Sequence, residues 1–104
     1  MKIFDMVIKN QDGTYEVKPI QYRSSFQVHG YTFAVHKRYY PPEITVKEWD
    51  HEWDVSEISC GGKAFSGYPH MRNTVEAAKE RLNLLTLESI KKAVDAARVI
   101  KEGI

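Results

Sequence analysis

The run Glu48-Trp49-Asp50-His51-Glu52-Trp53-Asp54 holds the densest group of chemically capable side chains in this chain. If it forms a single strand, period two puts Trp49, His51, Trp53 and Val55 on one face and Glu48, Asp50, Glu52 and Asp54 on the other. Four carboxylates would then stand about 6.5 to 7 Å apart, twice the strand rise per residue. That is close to the spacing of successive phosphates, about twice the 3.4 Å rise per strand of a duplex. Such a comb could imitate a nucleic-acid backbone toward a basic protein, so Glu48, Trp49, Asp50, Glu52 and Asp54 are candidate partner-binding residues. In a second register Asp50-His51 is a two-residue hairpin turn that pairs Val46 with Val55 and Lys47 with Asp54. The acids then form an ordinary solvated face.

Other chemistries find less support. Asp50, His51 and Asp54 offer oxygen and nitrogen donors, but no glycine-containing calcium loop and no Cys/His spacing accompanies them, so no metal or other cofactor is expected. The four histidines, His29, His36, His51 and His70, are scattered, and nothing near Cys60 orients a base or builds an oxyanion hole. Gly61-Gly62 precedes a strand-like segment and lacks the helix and lysine of a phosphate loop. A non-catalytic protein is therefore expected. A separate group, Arg23, Lys37, Arg38, Tyr39 and Tyr40, brings bases and aromatics together as a single-strand nucleic-acid platform would, and is the alternative binding surface.

These residues belong to a chain of 104 residues with net charge +1. One domain of that length buries roughly 65% of the surface its unfolded form exposes, enough to fold without staples. Charge is unevenly distributed. Residues 1–38 and 61–104 are each +3, whereas residues 39–60 carry six acids against Lys47 alone. The lone Cys60 cannot form an internal disulfide, and Asp5 interrupts the N-terminus before a signal-like apolar run develops, so a cytoplasmic location is expected. No apolar run approaches the roughly 20 residues that span a bilayer.

Ile3 to Ile8 and Tyr15 to Ile20, joined through Asp12-Gly13, predict a first hairpin, and Phe26 to Val28 and Tyr31 to Val35 about His29-Gly30 predict a second. Tyr39-Tyr40-Pro41-Pro42 then ends the ladder, because proline has no backbone donor. Trp53 to Ile58, the turn Gly61-Gly62 and Ala64 to Ser66 complete the strands. In the C-terminal third, Asn73 or Thr74 can cap a helix bearing Val75, Ala78, Leu82 and Leu85. A second stripe, Leu87, Ile90, Val94 and Ala97, is rotated by about a third of a turn from the first, and Thr86 offers a fresh cap. Two helices, near 74–84 and 87–102, with a corner between them are predicted. The fold class is α+β: an antiparallel sheet of four or five strands from residues 1–68, packed against two C-terminal helices. Val35, Trp53, Val55, Leu82 and Ile90 are the predicted core.

Phe33-Ala34-Val35-His36-Lys37, Trp53-Asp54-Val55-Ser56-Glu57, the glycine turn, Ser66-Gly67, and Thr74-Val75-Glu76-Ala77-Ala78 with Leu82 follow one another in an order that resembles small uncharacterised proteins of phages, prophages and other bacterial mobile elements. The resemblance covers residues 31–102 and carries over no catalytic residue. It implies a phage or mobile-element origin and a host or phage macromolecule as partner. Residues 39–52 depart from that pattern, which directs attention to the acidic insert. The expected function is a non-catalytic interaction module that inhibits a host nucleic-acid-handling or defence protein by presenting the insert to its basic surface. The alternative is a small nucleic-acid-binding domain.

Overall fold

The computed structural model describes residues 2–104, and its architecture is α+β. The strands are β1 (Ile3–Lys9), β2 (Tyr15–Gln21), β3 (Ser24–Val28), β4 (Tyr31–Lys37), β5 (Trp53–Glu57) and β6 (Lys63–Ser66), followed by helices α1 (Met71–Asn83) and α2 (Leu87–Glu102). β3-β4-β5-β6 form a four-stranded antiparallel sheet in sequence order, and β1-β2 form a separate two-stranded one. The first hairpin thus stands apart from the main sheet and lies over it.

Burial shows why. Phe33, Ala34, Val35 and His36 are all buried, so both faces of β4 are covered. Phe33 and Val35 pack with Val55, Ala78, Leu82, Ile90 and Val94 beneath the helices. Ala34 packs on the opposite face with Phe4 and Met6 of β1. A β-hairpin, the sheet and a helical layer therefore stack in that order. The hairpin is tied down at one end of the sheet, where Val7 N–H donates to the Gly61 carbonyl at 2.9 Å. Gly61 has φ +67°, and a β-carbon there would collide with the carbonyl oxygen of Asp5. Glycine is needed twice over at this position.

Both predicted hairpins form. His29 and Gly30 have φ of 51° and 84°, the paired positive values that a two-residue hairpin turn uses. The helix break also falls where the two apolar stripes change phase: α1 ends at Asn83, and Thr86 caps α2 by accepting the Ser89 N–H at 3.1 Å. The start of α1 differs from the expected Asn73 or Thr74 cap. The helix begins at Met71, and Thr74 is buried in its first turn. Its hydroxyl accepts the Tyr68 N–H at 2.9 Å and donates to the His70 carbonyl at 3.0 Å. Fastening the incoming loop takes the place of capping. Of the predicted core, Val35, Val55, Leu82 and Ile90 are buried and Trp53 is half-buried. No helix among the described residues is long and apolar enough to cross a membrane.

Candidate functional site

The two predicted surfaces meet at the end of the sheet where β4 runs into residues 38–52 and returns as β5. β3 pairs with β4 only as far as Ser24 opposite Val35. Lys37 is left without a partner on that side, and its carbonyl accepts from His36 Nδ1 at 2.8 Å. A carbonyl can only accept, so Nδ1 carries the proton and Nε2 accepts the Ser56 hydroxyl at 2.8 Å. The ring of Phe4 lies 5.2 Å above the imidazole, and His36 and Ser56 are both wholly buried. Serine and histidine in this tautomeric relation can activate a nucleophile elsewhere. Here Phe4 closes the pair off, and it serves as a polar strut between β4 and β5. Burial pushes the His36 imidazole below its ordinary value, against the opposing effect of its Lys37 hydrogen bond and the nearby Asp54 charge.

Asp54 stands opposite His36 in the register and is 2% exposed. Its carboxylate receives Arg38 Nη2 at 3.1 Å on Oδ1 and Arg38 Nε at 3.2 Å on Oδ2, with Gly67 N–H at 3.4 Å. Arg38 also pairs with Glu52 through its side chain and donates its backbone N–H to the Glu52 carbonyl at 2.7 Å. One position earlier, Lys37 pairs with Glu48.

The carboxylate comb therefore does not form, and neither does the Asp50-His51 hairpin. Glu48–Asp50 make a single 3-10 turn, closed by Asp50 N–H to the Lys47 carbonyl at 2.9 Å, and the strand begins only at Trp53. Val55 pairs with Val35 and Phe65 and not with Val46. Alternation does put Asp54 on the face opposite Val55, as expected. That face lies under the N-terminal hairpin, and Asp54 points into protein where Arg38 supplies the counter-charge. Glu48 and Glu52 are each held by one base, while Glu43 and Asp50 are exposed and make no ion pair among the described residues.

The nucleic-acid candidates are divided as well. Arg38 is committed to Asp54 and Glu52. Tyr39 lies beneath Lys18 Nζ at 5.3 Å, and Tyr40 meets the His51 ring edge-on at 5.3 Å. Only Arg23 and Lys37 of that set border the same cleft. Trp49, in contrast, is 75% exposed on the 3-10 turn, with Lys47 Nζ 5.2 Å from its ring.

Elsewhere, Cys60 is buried, and burial pushes its thiol up. Glu57 is also buried; it accepts the Cys60 N–H at 2.8 Å and the Ser59 hydroxyl, locking the β5–β6 turn. Among the described residues no three His, Cys, Asp or Glu side chains converge as a metal site would require. The sequence reading overlooked the His36–Ser56 strut and the buried Glu57. The alternation of Ala34, His36 and Arg38 was available as a signal, but only a cover on that face gives it meaning. Comparison with protein-family models, with curated proteins and with solved structures yields no match.

Proposed function

We propose that this chain is a non-catalytic protein-interaction module whose contact element is the loop of residues 39–52, with Trp49 as its anchor. The observation that carries the proposal is the 75% exposure of Trp49 on a turn fixed at both ends. The Lys37–Glu48 pair holds one side of the turn and the Arg38–Glu52 pair the other. Tryptophan is among the residues that most often dominate binding energy, and a turn already held in place loses little freedom on docking. Glu48 and Asp50 flank it in sequence, Glu43 lies on the same loop, and all three are exposed. They favour a partner whose apolar pocket has a basic rim.

The resemblance to phage and mobile-element proteins supports a host or phage protein as that partner. An inhibitor of a nucleic-acid-handling or defence protein fits both the resemblance and a basic partner surface. The test is affinity capture from bacterial lysate with quantitative identification, comparing wild type with Trp49→Ala. A protein recovered by the wild type and at least tenfold less by the variant is expected, because truncating an anchor typically removes about 2 kcal/mol or more. Equal recovery of every protein by the two would contradict the proposal.

A further inference from the structure

A second feature lies beside the Trp49 turn, at the end of the sheet. Between β2 and Ser24 the chain bends through Tyr22 and Arg23, while β4 ends at Lys37 and β5 begins at Trp53, which pair across the ladder. The gap is an open cleft of about 760 Å³ bordered by Lys2, Tyr22, Arg23, Lys37, Trp53 and, at its rim, Glu48. Three cations and two aromatic residues therefore line the cleft with a single acid. Arg23 and Lys2 make no ion pair among the described residues, and Lys37 has only Glu48.

Cations beside flat aromatic surfaces suit a ligand that joins an anion to a planar ring. Arginine holds phosphate through its fork, lysine adds a point charge, and an aromatic side chain stacks on any base. We propose that this cleft binds a nucleotide unit, free or within a single strand, with its phosphate between Arg23 and Lys37 and its base against Trp53 or Tyr22. Glu48 is the internal competitor: its carboxylate occupies the position on Lys37 that a phosphate oxygen would take. A duplex buries its base faces in its own stack and fits less well. An acidic peptide offers the anion without the ring.

The direct test uses Trp49→Phe, which leaves Trp53 as the lone tryptophan of a chain that has two. Its fluorescence is followed at low salt on addition of a single-stranded decanucleotide, a mononucleotide, a duplex and a glutamate decapeptide. Quenching by the decanucleotide is expected, with a log–log salt slope of about −0.7 to −1.4 for one or two phosphates. Arg23→Glu should abolish it at unchanged thermal stability, and Glu48→Gln should tighten binding several-fold. Competition by the mononucleotide identifies the free nucleotide as sufficient; binding of the strand alone assigns the ligand to polymer. Absence of quenching by either, equal binding of the decapeptide, or insensitivity to Arg23→Glu overturns the proposal. Weaker binding by Glu48→Gln does the same. Trp49 does not border the cleft, and Arg23→Glu leaves intact the Lys37–Glu48 pair that holds its turn, so a failure of this proposal in that variant is distinguishable from a failure of the Trp49 anchor.

Discussion

Arg38 forks onto Asp54 across the ends of β4 and β5, Nη2 3.1 Å from Oδ1 and Nε 3.2 Å from Oδ2. The Asp54 side chain is 3% exposed and that of Arg38 28%, so the carboxylate is the desolvated member and the guanidinium its link to solvent. One arginine thereby ties two acids of the most acidic stretch, Asp54 and Glu52, into the framework, while Trp49 stays exposed. The loop is presented by ion pairs that belong to the sheet.

Removing Arg38 should therefore be costly. Arg38→Ala leaves Asp54 buried with only the long Gly67 N–H contact, and about 3 kcal/mol of stability should be lost, the lower end for a broken buried pair because Arg38 reaches solvent. Arg38→Ala combined with Asp54→Leu should recover most of it. Urea midpoints of the three proteins check this.

The acids of the insert should separate into two classes. Asp54→Asn should lower the urea midpoint. Glu43→Gln with Asp50→Asn should leave it within about 0.5 kcal/mol of wild type, since both are exposed and make no ion pair. The second pair should slow association with a basic partner at low salt, and the difference should shrink as salt rises. Stopped-flow association rates measure it.

Stability should fall as pH drops from 7.5 to 5.5. His36 is held neutral, below its ordinary value of 6.5, by burial. Below that pH the unfolded chain binds a proton that the folded chain resists, so the unfolded state gains on acidification. The contribution is fully present above pH 6.5 and is lost as the pH falls. His36→Gln should be less stable at pH 7.5 and should show a flatter profile across this window, in denaturation curves recorded at each pH.

Apolar positions three residues apart should behave oppositely. Leu82 is 6% exposed within the core, and Leu82→Ala should cost about 2 to 5 kcal/mol. Leu85→Ala, at a residue 47% exposed on the helix corner, should cost far less. Gly61→Ala should cost at least about 2 kcal/mol, because it meets both a positive φ and the Asp5 backbone. Thermal or urea midpoints decide all three.

Local chemistry made part of this fold readable from sequence. His29-Gly30 tolerates the positive φ values of a tight turn, and Thr86 caps α2 where the apolar stripes change phase. Leu82, Ile90 and Val94 keep helical spacing and are buried together. The candidate site was less legible because its geometry depends on contacts distant in sequence. Alternation correctly separated Asp54 from Val55, but only the placement of Phe4 and Met6 over Ala34 turns that acid inward. Nothing local distinguishes Arg38, which pairs with Asp54, from Arg23, which borders an open cleft. The 3-10 turn at Glu48–Asp50 lacks a side-chain cap and so left no capping signal.

The loop of residues 39–52 is the proposed contact surface. Hydrogen–deuterium exchange of the intact chain, alone and saturated with the protein recovered by affinity capture, tests it most directly. Slowed exchange centred on residues 43–52 is expected, and the same footprint should vanish at matched concentration in Trp49→Ala. Protection confined to the exposed apolar residues of α2, such as Leu87, Val99 and Ile100, with the loop exchanging as in the free protein, would rule out the loop as the contact surface.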